Sequence, residues 1–455
     1  MPIQTVNPYN NKAIKTFDTF SDEQVQQKIT AAHKTFTAWR NTPIKERAAL
    51  LARVAQLMLE RKSELAALIT LEMGKLIAQS ESEIEMCASV YQYYADHAEA
   101  FLEDRPLEVK DGRAFIRYTP TGIILGVEPW NFPFNQVGRL TAPNIIAGNV
   151  IMIKHASNVP QCAQMIETLF KDAGAPDGLY TNLFLSSDKI AALAADERIT
   201  GLSLTGSEKA GASLAEAAGK NLKKSVLELG GSDAFIILDD ADVDLAVEKA
   251  VLGRFNNMGQ SCTSSKRIIA VEGIAEEFLA KFTAKITGLK VGDPMDRETK
   301  IGPMVSEEAA ENIAKQVDDS VKAGAKVVIG GKRIDREGAF FEFTILTDIP
   351  KDAVAYHAEL FGPVASFYKV KDVEEAIALA NDTGFGLGGS VFSKDTAKAV
   401  AVASRIDTGM VFINQNLASR PDLPFGGTKR SGYGRELSPL AVEEFINKKV
   451  IYIPE

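Results

Sequence analysis

Three cysteines, four histidines and two tryptophans are all that 455 residues hold of those types. Cys87, Cys162 and Cys262 lie far apart with no Cys-x-x-Cys, which excludes a disulfide framework and a zinc ribbon and fits a reducing compartment. His33, His97, His155 and His357 never recur at the spacing of a helical metal pair, so no protein-bound metal is expected. Basic excess is also lacking. The net charge is −9, which argues against a sequence-independent grip on nucleic acid. No run of ~18 apolar residues occurs, so no membrane span is expected. No basic segment followed by an apolar run opens the chain, which leaves the cytoplasm as the expected location. What is present is ordinary for a folded soluble protein: 45% hydrophobic and 24% charged residues. The length exceeds a single core and predicts two or three domains.

The first 20 residues read as polar and turn-rich. Ser21-Asp22-Glu23-Gln24 then forms a capping box, and Val25, Ile29, Ala32, Phe36 and Trp39 follow at helical spacing. One long helix is predicted from about Lys45 to Met73, ending at Gly74, and another from about Ala78 to Phe101, with Cys87 as a packing residue. From Arg113 the texture changes. Apolar runs at 122–127, 150–154, 179–185, 201–204, 225–227 and 234–238 alternate with helical stretches such as 160–173 and 208–218. This alternation predicts a parallel sheet with helical crossovers. The alternation restarts after Cys262, at 268–271, 326–329, 364–370, 389–392 and 409–413, as a second α/β domain. The terminal strand Lys448–Ile453 has no evident partner in its own domain. It could close an internal sheet or pair with a second subunit.

Ligands of a parallel sheet bind beyond the carboxyl ends of its strands. Three segments at such ends stand out: Glu128-Pro129-Trp130-Asn131-Phe132-Pro133, Lys154-His155-Ala156-Ser157 and Thr205-Gly206-Ser207. Cys262 sits on a Gly-Gln-Ser-Cys turn, with Asn256 and Asn257 before it and Lys266 and Arg267 after it. Nearby positive charge favours thiolate, the nucleophilic form. No Gly-x-Gly-x-x-Gly opens a helix. The 201–207 segment has the glycine spacing of a P-loop but no Gly-Lys-Ser/Thr, so neither nucleotide motif is present.

Pro129-Trp130-Asn131-Phe132-Pro133, Lys154, Thr205-Gly206-Ser207 with Gly211, Glu228-Leu229-Gly230-Gly231, Gly259-Gln260-Ser261-Cys262, Glu359-Leu360-Phe361-Gly362-Pro363-Val364 and Pro424-Phe425-Gly426-Gly427 occur in one order along the chain. In that order they resemble the aldehyde dehydrogenase superfamily over essentially its whole length. The resemblance implies an α/β fold of two parallel-sheet domains with a small β oligomerisation element. The expected cofactor domain is 1–101 with 119–230, and the catalytic domain is 231–445. The oligomerisation element combines a hairpin at 102–118 with the strand in 446–455, which gives the terminal strand its partner. A homodimer or homotetramer built through that strand is the implied assembly.

The resemblance also assigns roles. Cys262 is the nucleophile, Asn131 the oxyanion donor with the Cys262 N–H, and Glu228 the base that activates water. Relatives that pass the acyl group to coenzyme A generally lack this base, so Glu228 favours a free-acid product. Pro129, Trp130, Lys154, Ser157, Gly206, Ser207, Leu229, Glu359 and Phe361 match cofactor positions. Many NAD-using relatives carry glutamate where this chain has Ser157. Serine removes a repulsion against a 2′-phosphate, so NADP is the preferred cofactor and NAD a possible one. Arg139 matches the arginine that, in the succinate-semialdehyde branch, binds the far carboxylate, and Gln136, Ser261 and Ser419 match positions near the substrate mouth. Some relatives carry a second arginine where this chain has Asn256; Arg420 is a candidate replacement. Succinate semialdehyde is the first-choice substrate. The alternatives are glutarate semialdehyde, short uncharged aldehydes, a coenzyme A-acylating reaction, and a scaffold that has lost catalysis.

Overall fold

The computed structural model describes residues 3–455. Two strands, Ile3–Asn7 and Lys12–Phe17, form an opening hairpin where the polar composition predicts only turns. The turn signals mark the connection itself, and Asn11 takes the left-handed conformation there. Four helices follow, Asp22–Trp39, Ile44–Glu60, Lys62–Met73 and Ile77–Phe101. Ser21 and Gln24 close the reciprocal cap on the first. The single helix expected over 45–73 is two, broken at Arg61 (φ −105°, ψ 16°). No glycine or proline announces this break. Gly74 ends the second piece at φ 76°. Cys87 is buried as a packing residue against helix Asn135–Ala147, where it faces Gly138 and its thiol lies 3.2 Å from the Phe134 carbonyl.

A six-stranded sheet carries the order Gly432–Tyr433, Lys224–Glu228, Ile199–Thr205, Ile123–Glu128, Val150–His155, Tyr180–Asn182. All neighbours are parallel except the two-residue edge strand, which runs antiparallel to Lys224–Glu228. Chain order reverses between Ile123–Glu128 and Ile199–Thr205. A crevice at the strand ends is therefore expected there. The register brings Thr205 beside Glu228 and Glu128 beside His155, so these polar residues end their strands at one level.

The second sheet has seven strands, in the order Lys326–Ile329, Thr344–Thr347, Val364–Val370, Arg267–Val271, Ala234–Ile237, Gly388–Phe392, Met410–Ile413. Only the first pair is antiparallel. Ala234–Ile237, which reads in sequence as the next strand of the earlier series, lies near the centre of this sheet. The central strands of both sheets are almost wholly buried and correspondingly apolar, whereas the edge strand Lys326–Ile329 is largely exposed.

A third sheet joins Ile446–Ile453, Arg113–Pro120 and Arg105–Leu107. The terminal strand thus pairs within its own chain, from Ile446 opposite Pro120 to Ile453 opposite Arg113. Its other edge has no partner strand among the described residues, and Val450, Tyr452 and Ile453 are exposed. No helix of the described residues is long and apolar enough to cross a membrane, and no cluster there could hold a metal ion.

Candidate active site

Cys262 lies on the loop between helix Val243–Phe255 and strand Arg267–Val271. The approach to it is strained. Asn257 and Met258 both hold φ 55°, ψ 33°, a region that non-glycine residues enter at a cost. Side chains hold this turn in place. Asn257 Nδ2 donates to the carbonyls of Asn131 (3.0 Å) and Gln260 (3.1 Å), and its N–H donates to Gln79 Oε1 (3.1 Å). Gln260 Oε1 accepts from the N–H of Val305 at 3.0 Å. Gly259 sits at φ 68°, where a Cβ would strike the Gly362 carbonyl; glycine alone fits. Burial pushes the Cys262 thiol up to about 12, opposed by the charges of Arg139 and Lys266 and reinforced by Glu359 and Asp233.

Asn131 is oriented from both sides. Its Oδ1 accepts from Gln136 Nε2 (3.0 Å), and its Nδ2 donates to the Gln260 carbonyl (3.1 Å). Gln136 also accepts from the N–H of Phe132 at 3.3 Å. The Asn131 carbonyl accepts from Lys75 Nζ at 2.9 Å. Lys75 is in turn ion-paired with Glu83, both fully buried, and lies 3.8 Å from the centre of the Phe132 ring. Glu83 accepts from the N–H groups of Phe134 (3.0 Å) and Asn135 (3.3 Å). Lys75→Ala should therefore strand a buried carboxylate. The expected loss is about 3–5 kcal/mol of stability, read as a lower urea midpoint at unchanged slope.

Glu228 ends its strand in the crevice, buried, with neither carboxyl oxygen hydrogen-bonded among the described residues. Burial, then the nearby Glu436, hold its carboxyl well above the usual carboxylate range. A cleft of about 300 Å³ joins these groups. Pro129, Trp130, Asn131, Gln136, Gly206, Ser207, Glu228, Leu229, Cys262, Glu359 and Phe361 line it, together with Thr205 and Gly230. Trp130 and Phe361 meet edge to face at 5.7 Å. Helix Glu208–Lys220 begins at the wall of this cleft, with Ser207 as its cap, which suits an anion. Aromatic walls, a helix N-terminus and a carboxylate (Glu359) suit a dinucleotide.

Lys154, Ser157, Arg139, Ser261 and Ser419 are not among the lining residues of this cleft. Lys154 is the penultimate residue of its strand, with burial lowering its ammonium from the usual range, and Ser157 follows the strand, half-buried. Ser261 Oγ lies 3.1 Å from Thr263 Oγ1. Ser419 Oγ is buried without a partner among the described residues. Arg139 departs most from expectation. Instead of standing free, it is buried, with Nε 2.7 Å from Glu436 and its guanidinium 4.2 Å from the Phe425 ring centre. Neither its Nε nor its Nη2 makes a hydrogen bond among the described residues. Arg420 is exposed and forked onto Asp422 (2.7 and 3.0 Å), so it is already engaged. Arg267 also turns away from the cysteine. It donates to the carbonyls of Ser232, Leu379 and Ala380.

Three residues that shape this site carry no role in the sequence analysis, although two of them, Glu128 and Thr205, stand in its strand-end segments. Glu128 is buried with no hydrogen-bonded oxygen among the described residues, and its carboxyl is held well above the usual range by burial and then by Glu436. Glu436 supplies the counter-charge to Arg139. Thr205 lies in register between the strands of Glu128 and Glu228. Glu128 was legible as a carboxylate at a strand end; Glu436 carried no local signal.

The chain belongs to the aldehyde dehydrogenase family, whose family model matches residues 1–451. It is similar to the succinate-semialdehyde dehydrogenase (NADP(+)) of Deinococcus radiodurans, with 48% identity over 99% of this chain and 94% of that one. A probable succinate-semialdehyde dehydrogenase (NADP(+)) of Synechocystis is 46% identical over the full length of both. Among solved structures, the succinic semialdehyde dehydrogenase of Streptococcus pyogenes, in complex with NADP(+), superposes with a TM-score of 0.98. It is 46% identical and covers 99% of this chain and 100% of its own.

Proposed function

We propose that this protein oxidises succinate semialdehyde to succinate with NADP, with Cys262 as nucleophile, Asn131 as oxyanion donor and Glu228 as general base. The observation that carries the reading is the convergence of these three side chains on one cleft with Trp130, Ser207, Glu359 and Phe361. The names of the similar proteins support the substrate and the cofactor.

The steps follow from the side chains. Cys262 attacks the aldehyde carbon as thiolate and makes it tetrahedral. The new oxyanion is met by Asn131 Nδ2 and the Cys262 N–H. NADP, when bound, supplies the hydride acceptor. The acyl group is left as a thioester on Cys262, and Glu228 takes a proton from the water that hydrolyses it.

In this reading the five parallel strands of the six-stranded sheet with the N-terminal helices (1–101 and 119–230) are the cofactor domain, and 231–445, which lends that sheet its edge strand Gly432–Tyr433, is the catalytic domain. The segments 102–118 and 446–455 form the oligomerisation element. Homodimer or homotetramer formation through it is supported by the open edge of Ile446–Ile453 and the exposed Val450, Tyr452 and Ile453.

Lys154 and Ser157 select NADP. A glutamate at 157 would oppose a 2′-phosphate by roughly 4 kcal/mol for charges ~4 Å apart at an effective dielectric of ~20. Ser157→Glu should lower the NADP-over-NAD preference on the order of a thousandfold. An unchanged ratio of kcat/KM values would remove Ser157 from the selection. Arg139, ion-paired with Glu436 and with neither Nε nor Nη2 hydrogen-bonded among the described residues, anchors the far carboxylate. The deciding assay compares succinate semialdehyde with propanal for NADPH and NADH formation. Strong preference for the semialdehyde with NADP, lost in Arg139→Met, supports the reading. Equal rates with propanal would remove Arg139 and the C4 semialdehyde from it.

A further inference from the structure

Lys266 is a buried ammonium beside the nucleophile, and its contacts divide into two kinds. Its Nζ donates to the carbonyls of Ser261 (2.8 Å) and Cys262 (2.9 Å), which fixes the loop that carries the thiol. It also lies 3.1 Å from Glu359 Oε1. That same oxygen accepts from the N–H of Gly231 at 3.0 Å, and a Cβ on Gly230 would strike the other oxygen. Lys266 is almost wholly enclosed, with a side chain 1% exposed, whereas Glu359 is 21% exposed and lines the cleft. The carboxylate is thus the partner that faces the ligand and the ammonium is the one that faces the protein.

We propose that Lys266 and Glu359 form a charge switch for Cys262: Glu359 masks Lys266 in the free enzyme, and releases it when the carboxylate turns to the ribose of a bound cofactor. Lys266 is here a positioning residue that acts through Cys262 and its loop. The proposal rests on the assignment of Glu359 to the nicotinamide ribose. Its physical content is a balance of charges. Arg139 and Lys266 favour the thiolate, while Glu359 and Asp233 oppose it, and Glu228 faces the same cleft. Of these, Glu359 alone is at once paired to a thiolate-favouring cation and placed at a cofactor position. Its departure from Lys266 removes an opposing charge and unmasks a favourable one. An enzyme so built keeps its thiol protonated until the hydride acceptor is in place, and so limits attack on aldehydes that could not be oxidised.

The test reads the thiol directly, through the pH profile of iodoacetamide alkylation of the Cys262 peptide by mass spectrometry. The apparent pKa, rather than the plateau rate, is compared, because a bound cofactor also shields the thiol. In cofactor-free protein, Glu359→Gln should lower the apparent pKa by about one unit, a tenfold rise in thiolate at a pH below it. Lys266→Met should not lower it, Lys266→Arg should keep the wild-type profile, and adding Glu359→Gln to Lys266→Met should lower it by clearly less than Glu359→Gln does alone, because an opposing charge is removed but no cation is unmasked. If Glu359→Gln leaves the profile unmoved, or moves it equally when Lys266 is absent, the switch is overturned. Adding NADP to the wild-type protein should reproduce the shift. If Glu359→Gln shifts the profile and NADP does not, the ion pair stands as the brake on the thiol, and the ribose assignment fails.

Discussion

Glu228→Gln should form one equivalent of NADPH per active site and then stall. The first half of the proposed reaction, attack by Cys262 and hydride transfer, makes no demand on this carboxylate. The second half does, because hydrolysis of the thioester needs water to lose a proton. Loss of a positioned base costs typically ~10²–10⁴ in rate, and that loss falls on the steady state alone. Rapid-quench analysis should find acyl-enzyme on Cys262, visible as a mass shift of the intact chain. The same argument fixes the pH dependence of the wild-type enzyme. Burial and Glu436 raise the Glu228 carboxyl, so below its raised pKa the group is protonated and cannot act as base. Turnover should climb as pH rises through that value, while the burst amplitude in Glu228→Gln should not follow it. A steady state in Glu228→Gln equal to wild type would assign the water step to another group.

Asn131→Ala should lower kcat by ~10²–10³ with a much smaller change in KM. The amide is held by Gln136 on its oxygen and shares the Gln260 carbonyl with Asn257 on its nitrogen side. It is therefore oriented before any substrate arrives, and no reorganisation is required as charge develops. That pre-orientation predicts a graded series. Gln136→Leu keeps the donor but frees its rotation, and should cost less than Asn131→Ala while affecting the same parameter. Equal effects of both substitutions on KM, with kcat intact, would make Asn131 a substrate-binding residue rather than an oxyanion donor.

Much of the cleft was readable because its residues sit at strand ends within short, local strings. Trp130-Asn131 and Gly206-Ser207 stand in those strand-end segments, whereas Glu228-Leu229, Glu359 and Phe361 came from the family resemblance alone; all of them line the one cleft. What was not readable depends on contacts between distant segments. Nothing near Arg139 in sequence announces that Glu436 will neutralise it, and nothing near Lys266 shows that its charge is spent on two carbonyls and a carboxylate. The break at Arg61 has the same origin, since an unbroken apolar periodicity cannot say where packing will divide it. The opening hairpin was missed for the opposite reason. Its second strand is largely exposed and polar, so no alternation marks it.

The terminal strand and the Gly432–Tyr433 edge belong with segments near residues 113–120 and 227–228, although the whole seven-stranded sheet, 234–413, intervenes. Phe445 extends the link, its carbonyl accepting from Asn149 Nδ2 (2.8 Å) and Thr121 Oγ1 (3.0 Å). During synthesis from the amino end, the unit begun first is therefore completed last. A nascent chain of some 400 residues would already hold every strand of the second sheet but its last, while Arg113–Pro120 still waits, half-paired, for residues not yet synthesised. Chaperone demand should peak in that interval and fall on release of the finished chain.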